Sequence, residues 1–178
     1  MNFEHVTRGG PYFRVVDPAW VDPSDTSYSK RNGGRWNKAD HPNHAGFGAL
    51  YLNASIAIAR ANARRHISAC FGPTITIDDL ADTARPQLQH YDIRESDFVD
   101  ALTPAGVAAL GLPRTYPTDI PHPPCQAIAT AAYAANEDGI AVRSAVGSAP
   151  TDEELVIFDR AVIARAVKTK RDSFVDWF

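Results

Sequence analysis

Asn32-Gly33-Gly34-Arg35-Trp36-Asn37, then Gly48-Ala49-Leu50-Tyr51-Leu52-Asn53, then an Ala-rich run over 55–70, is the stretch around which the chain is organised. Adjacent glycines let backbone approach a ligand closely or take a positive φ. Arg35 adds a fixed cation with a planar fork of donors suited to phosphate, and Trp36 adds an aromatic face. Such a loop can hold an anion and a flat ring side by side. Taken alone, the motif reads better as a hairpin turn with an exposed Arg and a core Trp, because a lone Gly-Gly-Arg is weak evidence. The run Ala49 to Leu52 reads as a strand. Ser55 then caps a helix, its side chain accepting from the free amides of the first turn. Ile56, Ala59, Ala63 and Ile67 recur at helical spacing as the buried stripe, and the alanines favour helix. Asn62 and His66, four apart, share one face. Gly72-Pro73 stops the helix.

Towards the N-terminus, 1–11 is a polar lead-in and Tyr12-Phe13-Arg14-Val15-Val16 a short strand ended by Asp17-Pro18. Tyr12, Arg14 and Val16 share one face, Phe13 and Val15 the other. Arg14 is therefore either an edge residue or a cleft residue aimed at an anion. Residues 17–32 form a loop rich in Asp, Ser and Pro that carries Tyr28 and Lys30, and Trp36 opens or closes a strand. The loop 38–46 contains His41 and His44, but no Cys or carboxylate cluster stands at ligand spacing, so no metal is expected.

Towards the C-terminus, Thr74-Ile75-Thr76-Ile77 alternates as a strand and 88–93 reads as another. Thr103-Pro104 opens a short helix to Leu110, with Pro at a tolerated first-turn position. A proline-dense loop over 111–124 leads to a second Ala-rich helix over 125–136, with Ile128, Ala131 and Ala132 inward. Gly139 to Ser144 is a strand, 147–154 a loop, and Leu155-Val156-Ile157-Phe158 a buried strand. Residues 161–169 fit strand or helix. Phe174, Val175, Trp177 and Phe178 form an apolar tail that must dock somewhere, on this chain, on a partner or on a second copy. With no repeat or linker, short strands interspersed with helices predict a single α+β domain over 1–178.

The 178 residues suffice for one domain with a real core. Hydrophobic residues at 44% and charged residues at 22% are ordinary for a globular protein. A net charge of -3 argues against a generally basic surface for nucleic acid. Local basic groups remain: Lys30, Arg31 and Arg35; Arg60, Arg64 and Arg65; Lys168, Lys170 and Arg171. Each is a solvated face or a hold for a phosphorylated small molecule. Cys70 and Cys125 are too few and too isolated for a disulfide framework or zinc knuckle. The N-terminus lacks the order of a signal peptide, and no apolar run approaches a membrane span. The expectation is a cytoplasmic protein, not bound to membrane or nucleic acid, with reduced thiols.

The order of these motifs resembles the RES domain family, the toxin half of Xre-RES toxin–antitoxin pairs. Tyr12-Phe13-Arg14, Gly33-Gly34-Arg35-Trp36-Asn37, Leu50-Tyr51-Leu52 running into a helix, Cys125-Gln126, Gly139-Ile140 with Arg143-Ser144, and Leu155 to Asp159 carry the likeness over most of the chain. The resemblance implies a split mixed or antiparallel sheet with flanking helices, like ADP-ribosyltransferase toxins. It implies consumption of NAD, by hydrolysis, phosphorolysis or ADP-ribose transfer to a protein. It also implies an Xre-type helix-turn-helix antitoxin as partner and leaves open a homo-oligomer formed through that antitoxin. Carried over by motif, Arg14 and Arg35 match the cleft arginines, Tyr51 the strand tyrosine and Ser144 the serine. Trp36 and Tyr28 join the arginines as candidate NAD-binding residues.

One position departs from the pattern. The family's helical Glu falls on Asn62, and the helix 55–70 contains no Glu. Cleaving nicotinamide from NAD builds positive charge on the ribose carbon, which a carboxylate stabilises. Asn62 offers a ribose hydroxyl both donor and acceptor but no charge, and losing an electrostatic stabiliser commonly costs on the order of 10²–10³ in rate. Three readings stay open: a carboxylate from elsewhere, Glu153 or Glu154 in the loop before the Phe158 strand; a weakened or inactive module that binds nucleotide or antitoxin without turnover; or an introduced change at 62.

Overall fold

β1 (His5–Val16) and β3 (Gln87–Ala101) run antiparallel along nearly their whole lengths, from His5 opposite Val99 to Val16 opposite Gln87. β6 (Ala166–Asp172) adds an outer antiparallel strand to β3. β2 (Ala49–Asn53), β5 (Glu153–Phe158) and β4 (Gly139–Arg143) form a second antiparallel set. Among the described residues the two sets pair at two places. Phe13 pairs with Asn53 across β1 and β2, and β3 pairs with β4 in parallel from Val99 to Ala101. The outcome is a split, mixed six-stranded sheet in a single α+β domain, described by a computed structural model over residues 2–118, 120–147, 149 and 152–178.

Helices cover the sheet in three places. α3 (Pro104–Ala109) and α4 (His122–Ala134) pack Val107, Cys125, Ile128, Ala129 and Ala132 against Val99, Ile140, Val142, Val156 and Phe158. α5 (Asp159–Arg165) places Ala161 and Val162 on the other face, with Leu50, Leu52, Leu155 and Ile157. α2 (Ile56–Phe71) lays Ala59, Ala63 and Ile67 against Leu88, beside α6 (Phe174–Trp177). The short α1 (Ser27–Asn32) precedes the Gly-Gly loop. Ser55 caps α2 as its sequence predicts, its side chain accepting from Ile58 N at 3.2 Å. Among the described residues no helix is long and apolar enough to cross a membrane.

Several local expectations change. The polar lead-in is already β1 from His5 onward, because an exposed ribbon tolerates polar side chains: Thr7 Oγ1 donates to Asp97 Oδ1 at 2.7 Å across it. Thr74 to Ile77 forms no strand. Thr76 donates to Asp79 Oδ2 through its amide at 2.8 Å and its hydroxyl at 2.7 Å, which diverts the backbone into a 3₁₀ turn, Ile77–Asp79. The 161–169 run divides into the end of α5 and the start of an exposed β6, so neither period dominated. Glu153 and Glu154 open β5 and do not lie in a loop. Asp119, within the expected 111–124 loop, and Ser148, Pro150 and Thr151, within 147–154, lie outside the described residues, as does Met1. The apolar tail docks on its own chain: Trp177 is 2% exposed and its indole donates to Pro86 O at 3.2 Å.

Candidate active site

Arg35 and Trp36 are fixed by a hydrogen-bonded knot. Tyr51, on β2, accepts from Trp36 N at 3.0 Å and donates to Asn37 Oδ1 at 2.8 Å through the same hydroxyl. Asn37, fully buried, donates onward to Ser29 O and Phe47 O at 2.7 and 3.0 Å. Gln126 on α4 donates to Gly34 O at 2.8 Å. Gly34 is required here, since a Cβ would stand 2.5 Å from the Tyr51 hydroxyl, and Gly33 takes a positive φ of 70°. Trp36 thus sits in a tight loop closed by the Gly34–Asn37 bridge and not at a strand end as its sequence suggests. It is 2% exposed and meets Tyr116 edge-on at 6.1 Å.

The knot forms one wall of a cavity of about 170 Å³. Arg35, Trp36 and Tyr51 line that wall, Asn62 and Arg65 come from α2, and His122 from the start of α4. Val142, Arg143, Ala145 and Glu154 complete it. Arg35 donates to Pro117 O at 2.9 Å, and Arg143 donates to Leu102 O at 2.7 Å. Three arginines and His122, the first residue of the 13-residue α4, therefore line one small space. Its volume is below the about 300–1,000 Å³ of pockets that enclose a drug-sized ligand. Burial raises the pKa of the Tyr51 and Tyr116 hydroxyls, so both remain neutral donors.

A polar chain crosses the cavity. Ser144, 3% exposed, donates to Glu154 Oε1 at 2.6 Å. Asn62 Nδ2 donates to the same oxygen at 3.0 Å and to Asn53 Oδ1 at 2.7 Å. Asn53 Nδ2 in turn donates to Phe13 O at 3.0 Å. Glu153, its sequence neighbour, points to the other sheet face. There it accepts from Arg8 Nε at 2.8 and 2.9 Å and from the Tyr12 hydroxyl.

Of the residues singled out in the sequence, the structure brings together Arg35, Trp36, Tyr51, Asn62 and Ser144. Arg14 does not join them. Phe13 pairs with Asn53, so Phe13, Asn53 and Tyr51 share one face and Arg14 projects from the opposite one. Its guanidinium donates to Pro23 O and lies over the Trp20 ring at 5.1 Å, and burial pushes its pKa down. Tyr28 sits on α1, 64% exposed and away from the cavity. Glu154, one of the two alternative carboxylates, does line the cavity, as do Arg65, Arg143 and His122, to which the sequence assigned no role in the site. Arg65 was legible as the residue one turn after Asn62 on the same helix face, and Arg143 as the neighbour of Ser144. His122 depends on where α4 begins in space, which no local pattern gives. Among the described residues no three His, Cys, Asp or Glu side chains stand together as a metal-holding group.

Comparison with curated proteins gives no match. Among solved structures, the chain is similar to a chain of the M. tuberculosis MbcT–MbcA toxin–antitoxin complex, with a TM-score of 0.74. Identity is 22%, over 94% of this chain and 85% of that one, which speaks to fold. The RES domain model matches residues 11–177. That match takes in the Gly-Gly-Arg-Trp loop, the Tyr51 strand and the Asn62–Glu154–Ser144 cluster alike, and the chain belongs to the RES domain family.

Proposed function

We propose that this protein is a RES-type toxin that cleaves the N-glycosidic bond between nicotinamide and ribose in NAD, held in check by a separate antitoxin. The observation that carries the reading is the convergence of three arginines and two aromatic rings on one cavity crossed by Asn62, Ser144 and Glu154. Arg35, Arg65 and Arg143 supply forked donors for the diphosphate. Trp36 and Tyr51 give the nicotinamide ring an apolar wall. Asn62 keeps its Oδ1 free to accept from a ribose hydroxyl, since both amide hydrogens are spent. Arg14 has no part in this scheme. The structural relative is a toxin solved with its antitoxin, which supports an antitoxin partner here; the Xre helix-turn-helix type rests on the family resemblance alone.

The test is nicotinamide release from NAD by the purified chain. We expect turnover, with the second product naming the acceptor: ADP-ribose for water, ADP-ribose 1-phosphate for phosphate, or a labelled protein for ADP-ribose transfer. Binding of NAD without turnover would favour a module acting by occupancy. The absence of both binding and turnover would remove NAD as the substrate.

A further inference from the structure

The RES pattern puts its carboxylate on the helix after the tyrosine strand, where this chain has Asn62. We infer that the carboxylate has moved across the cavity: Glu154, at the start of β5, is the catalytic carboxylate, and Asn62 is the clamp that holds it. This deepens the NAD-cleaving reading and rests on it.

Glu154 is the sole acidic residue lining the cavity among the described residues. It stands on a strand paired on both sides, opposite Asn53 on β2 and Val142 on β4, so its backbone is rigidly placed. Oε1 receives both Ser144 Oγ at 2.6 Å and Asn62 Nδ2 at 3.0 Å, and these two bonds fix the plane of the carboxylate. No bond from the described residues reaches Oε2, and none of their ion pairs involves Glu154. One oxygen is thus pinned and the other is open to a ligand. An ionised carboxylate only accepts, so Asn62 must turn its NH₂ towards it, and the Asn53 link holds the amide in that orientation. A glutamate at 62 would meet Glu154 as a second negative charge at hydrogen-bond distance, which disfavours both being ionised. The Asn at 62 and the Glu at 154 are therefore one arrangement. Glu153 cannot substitute, because Arg8 and Tyr12 occupy it on the far face of the sheet.

In the reaction, the bond from ribose C1′ to the nicotinamide ring nitrogen breaks. Its electron pair passes to the nitrogen and neutralises the pyridinium. Positive charge shared by C1′ and the ring oxygen faces the Glu154 carboxylate, which stabilises it. When water is the acceptor, its oxygen forms the new bond to C1′. The released proton passes to Oε2 and then to solvent.

The experiment measures nicotinamide release and, by calorimetry, NAD affinity for four chains: wild type, Glu154→Gln, Asn62→Ala and the exchange Asn62→Glu/Glu154→Asn. Thermal melting confirms that each is folded. Glu154→Gln should lose on the order of 10²–10³ in kcat with NAD affinity within a few-fold of wild type. Asn62→Ala, a loss of positioning, should fall about tenfold or less in kcat because Ser144 still holds Oε1. The exchange should recover at least about tenfold over Glu154→Gln by restoring one charge to the cavity, a rescue that a purely structural role would not give. An active wild type with an equally active Glu154→Gln overturns the assignment and leaves the NAD reading intact. An inert wild type overturns both.

Discussion

Arg14 and Arg35 are both arginines beside an aromatic residue, and they differ in what holds them. Arg35 spends one nitrogen on Pro117 O at the cavity rim, while Arg14 is buried against Trp20 and Pro23 on the opposite face. Arg35→Ala should therefore raise the KM for NAD about tenfold or more, the worth of one charge-assisted contact. Arg14→Ala should lower the melting temperature and leave KM unchanged. Steady-state kinetics with a melt on each variant separates the two. Tyr51 works differently again: its hydroxyl is already committed to Trp36 N and Asn37 Oδ1. Tyr51→Phe leaves a buried amide unpaired and should cost about 1–3 kcal/mol in urea unfolding. Arg35, Tyr51 and Ser144 were legible because a short motif carried each. The position of Arg14 was not, because alternation assigns a face only relative to a neighbouring strand.

The Gly-Gly loop has little secondary structure of its own and takes its shape from its neighbours. Tyr51 of β2, Asn37 and Gln126 of α4 hold it in place of a strand ladder. Gly34→Ala puts a methyl group 2.5 Å from the Tyr51 hydroxyl and must push the loop or the ring aside. A shift of about 1 Å at a site costs on the order of 10²-fold in rate. Nicotinamide release should fall on that scale, more than the accompanying loss of stability explains. At the sheet edge, Asp172 accepts from Lys170 and from His90, and the Lys170 bond chiefly holds its carboxyl below the ordinary 3.8. A depressed folded value means that its stabilisation is complete above about pH 4 and is lost as the pH falls through the lower folded value. Urea midpoints for wild type and Asp172→Asn should accordingly differ at pH 6 and converge as the pH drops below 3.8.

Across the whole molecule, the C-terminal tail belongs to the fold. Trp177 fills the space between α2 and β3, and Arg60 on α2 donates to its carbonyl through Nε at 2.7 Å. Trp177→Ala should cost about 3–5 kcal/mol in chemical denaturation. A tail reserved for a partner would lose binding with no such change. The three arginines around the cavity also predict that NAD affinity falls as ionic strength rises, because their partly exposed charges are screened within about 10 Å at 0.1 M salt. Titrations at two salt concentrations check this.

The chain by itself determined the elements whose cause is local. Ser55 caps α2 through the next turn, apolar residues at helical spacing make its buried face, and the Gly-Gly-Arg-Trp motif declares a loop built for close approach. Those features depend on residues within a few positions of each other, so their physics is written in order. Only the tertiary structure decided which arginines share a cavity, that the polar lead-in is half of a long ribbon, and that Glu154 stands beside Asn62, 92 residues away in sequence. Such facts follow from strand pairing over long separations. There, a register of one residue sends a side chain to one face of the sheet or the other.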